Sequence, residues 1–208
     1  VYLHYVFDLW VDEWRKKRAN GEVIVVRYAD DFVVGFEHRE DGERFWAELR
    51  ERFTKFGLEL HAGKTDLIEF GRHAAAQRSS RGEGAPKTFK FLGFTHCCGE
   101  TRRGAFQVIR RTITERLQAK VSEVRTELRR RMHEPVPKQG AYVRAVVQGH
   151  VRYYGVPTNN RQLSTFRFAV GRAWWRSLCR RSQRGRVALV RMRRLWARWL
   201  PPARVCHP

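Results

Sequence analysis

Between residues 2 and 18 the apolar positions Leu3, Phe7, Trp10 and Trp14 recur at steps of four, three and four, with Asp12, Glu13 and the basic run 15–18 at the other positions. That spacing predicts an amphipathic helix, packed by one face and ended near Asn20-Gly21. The period then becomes two. Residues 23–28 and 32–36 are β-branched and aromatic runs separated by Ala29, Asp30 and Asp31, which predicts a hairpin with two acids at its tip. Phe45, Leu49, Phe53 and Phe56 return to helical spacing until Gly57. Short strands are expected at 58–60 and 67–70, on either side of a Gly63-Lys64-Thr65 turn. Residues 71–87 are rich in Gly, Ser, Ala and Arg without periodicity, and a mobile loop is expected there. Residues 89–95 and 105–110 predict a second hairpin around the 99–104 turn.

From Thr112 onward the period is helical throughout. Thr112 with Glu115 has the form of a capping box, and Ile113, Leu117, Val121, Val124 and Leu128 make one stripe. A turn over 134–140, containing two prolines, is expected to lead into a helix from about 141 to 154. A further helix starts at Asn159-Asn160 with Leu163, Phe166, Val170, Trp174 and Leu178 on one face. The last carries Met192, Leu195, Trp196 and Trp199 before Pro201-Pro202. Strands mixed with helices, followed by helices alone, predict an α+β fold whose second half is a small helical bundle.

Composition adds constraints of its own. No run of 18 apolar residues and no leader pattern occurs, so a soluble, unprocessed chain with no membrane partner is expected. It begins at Val1, inside a predicted helix and without Met, as a piece of a longer protein would. Cys97, Cys98, Cys179 and Cys206 form no CxxC pair, which fits a reducing cytoplasm, bacterial or of an organellar nucleoid. His96 beside Cys97 and Cys98, and Cys206 beside His207, match no zinc spacing. The net charge of +21 is unevenly placed: residues 1–108 hold 18 Lys plus Arg against 17 Asp plus Glu, and residues 109–208 hold 24 against 4. Of those 24 cations 22 are Arg, whose planar fork suits phosphate and stacks on bases. A merely solvated basic face would carry interspersed Glu. This pattern points to a polyanion partner.

Two acids at the tip of an apolar hairpin repel each other where Asn-Gly or Asp-Gly is the usual choice. They form either a solvated turn or a site for a divalent cation, since Mg²⁺ takes one or two carboxylates plus substrate phosphates. Lys64 is either a solvent-facing turn lysine or a group that neutralises phosphate. Phe91-Leu92-Gly93-Phe94 is either a core strand or an apolar contact for a nucleic-acid strand. Tyr153 and Tyr154 suit the core and the surface equally.

The stretch Val25-Val26-Arg27-Tyr28-Ala29-Asp30-Asp31-Phe32-Val33-Val34-Gly35-Phe36 resembles the metal-binding hairpin of reverse transcriptases. Phe56-Gly57-Leu58-Glu59-Leu60-His61-Ala62-Gly63-Lys64-Thr65 and Phe91-Leu92-Gly93-Phe94 resemble the two polymerase segments that follow it. The segments 148–156, 175–183 and 199–208 are similar to the maturase-specific domain of group II intron reverse transcriptases. The resemblance implies the C-terminal half of a polymerase palm over residues 1–110, an antiparallel sheet with helices, and an α-helical thumb, or domain X, over 111–208. It implies an RNA-directed DNA polymerase and maturase that aids splicing. Its catalytic residues would be Asp30, Asp31 and Lys64, with Asp30 and Asp31 holding Mg²⁺, or Mn²⁺ in its place. Tyr28, Phe91, Leu92 and Gly93 would lie against nucleotide and primer. Arg129, Arg130, Arg131, Arg152, Tyr153, Arg180 and Arg181 would bind RNA. The implied partners are group II intron RNA, an RNA template with a DNA primer, and deoxynucleoside triphosphates. The family's earlier metal-binding Asp and its fingers are missing from the sequence, and Asp8 and Asp12 on the first helix do not replace them. Half a site, inactive by itself, is therefore expected. The competing readings are a splicing cofactor without polymerase function and a non-catalytic basic RNA-binding protein.

Overall fold

A computed structural model describes residues 2–182 and 187–207; Val1, Gln183 and Pro208, each of which ends a segment considered above, lie outside them. Contacts divide the chain into two units, Val1–Phe70 and Gly71–Pro208. Each has its own core.

In the first unit the opening helix runs through a π-helical segment, His4–Asp8, into α1, Leu9–Lys17. The wider π turn brings Val6 and Phe7 side by side into the core, with Val11 and Trp14 below them, while Leu3 and Trp10 are half-buried. Strands β1, Val23–Tyr28, and β2, Asp31–Phe36, pair antiparallel with Val23 opposite Phe36 and Tyr28 opposite Asp31. One face of this ribbon, Val23, Val25, Phe32, Val34 and Phe36, packs on Phe45, Leu49 and Phe53 of α2, Arg39–Lys55. Aromatic rings carry much of this core: Phe7 lies 4.4 Å from Phe32 and Trp14 5.0 Å from Phe45, centroid to centroid. The other face leaves Ile24, Val26 and Tyr28 exposed. Asp41 is fully buried; burial raises its pKa, but hydrogen bonds from the Asn20 and Gly21 N–H groups and from Arg44 hold it below the usual carboxylate range. It clamps the start of α2 to the turn before β1.

Two expectations for this unit need correction. Phe56 is exposed rather than part of the α2 stripe, because the helix ends at Lys55 and the backbone turns away at Gly57, with φ 66. Residues 58–60 and 67–70 form no strand. The Leu58 N–H closes the helix on the Phe53 carbonyl at 2.8 Å, and Leu58 and Leu60 contribute side chains to the core rather than a ladder.

The second unit contains a three-stranded meander, β3 Phe89–Phe91, β4 Phe94–Glu100 and β5 Phe106–Thr112, in that order. The single strand expected over 89–95 is broken by a two-residue turn with positive φ at both Leu92 (47) and Gly93 (80), the pattern of a type I′ hairpin. The expected loop at 71–87 contains a short helix, α3 Ala74–Ser80, anchored by buried Ala74. Four longer helices follow: α4 Thr114–Arg130, α5 Val136–Tyr154, α6 Asn160–Cys179 and α7 Leu189–Trp199. The stripes predicted for α4 and α6 are buried at every position and, from Leu117 onward, form one core with α5 and Met192, while Ile113 precedes α4. The capping box does not form. Thr112 is the last residue of β5, and its hydroxyl accepts a hydrogen bond from the Asn159 amide at 2.8 Å. Helix α5 starts at Val136, earlier than expected, because Pro137 falls in the first turn, where no intrahelical N–H is needed. Strands in small antiparallel sheets combined with helices make an α+β arrangement, as the change of period predicted. Among the described residues no helix is long and apolar enough to cross a membrane.

The early start of α5 buries Gln139, whose Oε1 accepts from the Trp174 indole N–H at 2.9 Å while its Nε2 donates to the carbonyls of Arg131 and Met132. One amide thus joins the end of α4 to α5 and α6. Gln139→Ala leaves these groups without partners in the core. It should lower the unfolding free energy by roughly 2–4 kcal/mol in chemical denaturation, and Gln139→Glu should be no rescue because it removes the donor.

His150 stacks on Phe166 with ring centroids 3.7 Å apart, and burial, aided by Lys120, pushes its pKa down to about 4 from 6.5. The unfolded chain therefore takes up this proton before the folded one does. The stabilisation is present above pH 6.5 and is lost as the pH falls toward about 4. In thermal melts across that window wild type should lose stability faster than His150→Phe, which keeps the stacked ring and cannot be protonated. Parallel pH profiles would refute the assignment.

Candidate functional site

The first unit concentrates its chemistry at the turn that closes the β1–β2 hairpin. Because Tyr28 pairs directly with Asp31, only Ala29 and Asp30 form the turn, and Asp31 is the first residue of β2 rather than part of the tip. Ala29 has φ 54, a region L-residues enter at a cost and in which Gly is the usual occupant of a two-residue hairpin turn. Tyr28, Asp30 and Asp31 are all exposed. Among the described residues neither Asp30 nor Asp31 has a cation within ion-pairing distance. Two adjacent carboxylates without a counter-charge provide hard oxygen donors, the kind Mg²⁺ takes alongside phosphate and water. They do not make a closed cage: no group of three or more His, Cys, Asp or Glu among the described residues could hold a metal ion.

Beneath the turn lies a feature missed at the sequence level. Arg27 shares the core-facing side of β1 with Val23 and Val25. Its guanidinium grips Asp8 in a bidentate pair, Nε to Oδ1 and Nη2 to Oδ2 both at 2.6 Å, and its Nη1 donates to the carbonyl of Ala29. The Arg27 hydrogen bond holds the Asp8 carboxyl below the usual carboxylate range. Asp8 thus supports the strained turn through Arg27 instead of acting at its tip. The available signal was a cation in phase with the buried positions of a strand, which has to find a partner.

Lys64 sits in the same unit on a separate exposed turn, built by Lys64 and Thr65 N–H groups donating to the His61 carbonyl and by the Gly63 N–H donating to His61 Nδ1. No ion pair of Lys64 exists among the described residues. Phe91, Leu92 and Gly93 belong to the second unit, where Phe91 ends β3 and Leu92 and Gly93 form the β3–β4 turn. There the Tyr153 hydroxyl donates to the Leu92 carbonyl at 3.2 Å, and Tyr153 lies parallel to Phe94 with centroids 6.3 Å apart. A side chain at Gly93 would meet Arg116 Nη1 and the Tyr154 hydroxyl, both 3.1 Å from its Cβ. The β3–β4 turn, α4 and α5 therefore meet at one point.

The basic residues of the second unit do not all stand alike. Arg131 caps α4, pairs with Glu127 at 2.5 Å and lies 4.8 Å over the Tyr142 ring. Arg130 also reaches Glu127, and Arg181 donates to the Glu134 carbonyl. Arg129, Arg152 and Arg180 are exposed and make no ion pair among the described residues. Two shallow clefts open on this unit. One, of about 390 Å³, is lined by Arg111, Arg161, Gln107, Gln162, Thr158 and Thr165. The other, of about 400 Å³, lies between α4 and α5 and includes Arg116, Lys120, His150, Tyr153 and Tyr154. Cys97, Cys98, Cys179 and Cys206 are free thiols, and the Cys98 sulfur lies 3.4 Å from the Gly71 N–H.

The charge split follows the two units more sharply than the sequence halves. Val1–Phe70 has 11 Lys plus Arg against 15 Asp plus Glu, a net of −4, whereas Gly71–Pro208 has 31 against 6, a net of +25.

No curated protein matches the chain. The family model for reverse transcriptase (RNA-dependent DNA polymerase) does match it, over residues 1–96, a stretch that spans the β1–β2 hairpin, the Lys64 turn and Phe91-Leu92-Gly93-Phe94.

Proposed function

We propose that this chain carries the later part of a reverse transcriptase palm together with a thumb that binds RNA, and that the protein it serves is a group II intron reverse transcriptase and maturase. Residues 1–110 are the palm portion and residues 111–208 the maturase-specific domain. The compact units at Phe70 and Gly71 describe packing, and the functional division falls later in the chain. The observation that carries the reading is the hairpin presenting Asp30 and Asp31 uncompensated on a strained turn, inside the stretch matched by the reverse transcriptase family.

In this reading Asp30 and Asp31 supply two ligands of a divalent-metal site. The metal, Mg²⁺ or Mn²⁺, would bring charge neutralisation of the transferred phosphate when bound. Arg27, held by Asp8, fixes the Ala29 carbonyl and with it the direction of the turn. Lys64 serves a departing pyrophosphate, by charge or by proton donation. The Phe91-Leu92-Gly93 segment lies toward the primer, with Gly93 covered by Arg116 and Tyr154 and the Leu92 carbonyl held by Tyr153. The partners are intron RNA, template with primer, and deoxynucleoside triphosphates, and the second unit's +25 charge supports a polyanion over any other class.

Two measurements test this. In an enzyme carrying this segment, Asp30→Asn should abolish primer extension on an RNA template and leave RNA affinity unchanged, because it removes a metal ligand and no basic surface. Retained extension would sink the assignment. Salt titration of affinity for structured RNA should give a log-log slope of about −4 to −7 if six to ten arginines engage phosphates. Arg129→Gln with Arg180→Gln should reduce it by about one to two, since these cations are exposed and make no ion pair among the described residues. Arg131→Gln should instead cost stability through Glu127. Neutralising Arg15, Lys16 and Lys17, which pair with Asp12 and Glu13, should leave the slope unchanged. A slope that falls only in this last variant would put the RNA on the first unit.

A further inference from the structure

His150 lines the cleft between α4 and α5; it is 8% exposed, and its Nε2 is buried without a hydrogen-bond partner among the described residues. A buried imidazole nitrogen in this state costs free energy unless something from outside completes it. Phe166 stacked at 3.7 Å and Tyr154 at 4.5 Å fix the ring, so it cannot turn away to find solvent. The groups around it are of three kinds. Arg116 has no carboxylate partner among the described residues, whereas Lys120 is neutralised by Glu123 at 2.8 Å. Tyr153 is 54% exposed and is held in place by the Leu92 carbonyl. Gly149 opens the wall of α5, where a Cβ would meet nothing within 4 Å.

A cation, a ring with an open surface and a buried neutral nitrogen match the three parts of one nucleotide. The cation suits a phosphate and the ring a base. With its pKa near 4, His150 is uncharged at neutral pH, so its nitrogen calls for a neutral hydroxyl and not a phosphate. The volume, about 400 Å³, falls within the range of small-ligand sites. We propose that this cleft seats one ribonucleotide of an RNA strand, with the phosphate at Arg116, the base against Tyr153 and the 2′-hydroxyl at His150 Nε2. The 2′-hydroxyl is the group by which a protein tells RNA from DNA at a given position. The cleft is then a sugar-reading subsite on an otherwise backbone-binding surface. The inference rests on the nucleic-acid reading of the second unit and adds a preference that charge alone does not produce.

The test uses the whole 208-residue chain with a labelled 12-nucleotide single-stranded RNA and with DNA and 2′-O-methyl RNA of the same sequence. Wild type should bind RNA more tightly than either analogue. His150→Phe keeps the stacked ring and removes the nitrogen; it should weaken RNA binding by about three- to tenfold, the range of one hydrogen bond, and leave DNA binding within about twofold. Arg116→Gln should weaken all three probes alike. Gly149→Gln fills the cleft from the surface of α5 without touching the core, so it keeps the inference testable should His150→Phe fold poorly, and it too should erase the RNA preference. Variants that bind RNA and retain the wild-type ratio of RNA to DNA affinity overturn the subsite while leaving the basic thumb intact. A wild type that binds none of the three probes overturns the nucleic-acid reading itself, and the subsite with it.

Discussion

The second unit depends on one buried side chain, Asn159. Its Oδ1 accepts from the Thr112 N–H at 3.0 Å, and its Nδ2 donates to the Thr112 hydroxyl at 2.8 Å and to the Tyr154 carbonyl at 2.9 Å. Three elements end or begin within reach of that amide: β5, α5 and α6. Next to it Thr158, at φ 73, accepts the Arg110 N–H and donates to the Arg110 carbonyl. A sheet can join a helical bundle without wasting backbone groups only if some side chain replaces the missing ladder partners, and Asn offers a donor and an acceptor on one planar group. The same constraint keeps the end of α5 against β4, which places Tyr153 and Tyr154 over the Leu92-Gly93 turn. The cleft with His150 is a consequence of this junction.

What the sequence made legible is what periodicity encodes. The α4 and α6 stripes were readable because every fourth or third apolar position is buried, down to Leu128 and Phe166 at 0% exposed. The hairpin was readable because its apolar face alternates from Val23 to Phe36. Features that depend on a partner far along the chain were hidden. Pro135, Pro137 and Gly140 look like a turn, yet Gly140 lies within α5, where the Trp199 indole occupies the space a Cβ would need. Leu92 carries no turn signal, and only its pairing context forces φ 47 on it. Thr112 and Glu115 satisfied the letter of a capping box, but Asn159, 47 positions away, outcompeted the helix end for the hydroxyl.

The candidate site divides the same way. Asp30 and Asp31 announced themselves as charges where a hairpin does not want them. The support beneath them did not, because Asp8 and Arg27 read separately as a helix acid and a strand base. Their bidentate pair is 19 residues apart in sequence. Likewise the arginine triplet 129–131 is uniform in sequence and heterogeneous in space: Arg131 is part of the helix end and pairs with Glu127, whereas Arg129 makes no ion pair among the described residues. Composition measures how much charge a chain carries, and only the fold tells which of it is already spoken for.

The concentration of charge in the second unit has a consequence for the folded state itself. With a net of +25 on residues 71–208, the bundle carries a standing mutual repulsion that dissolved ions screen within about 8–10 Å at ordinary ionic strength. Added salt therefore acts on this unit in two opposite senses. It loosens any hold on a phosphate backbone, and it relaxes the pressure that like charges exert on the fold. The unit is most cohesive under conditions that would weaken any grip on a polyanion, and at low ionic strength a polyanion, once bound, would take over the screening that salt no longer provides.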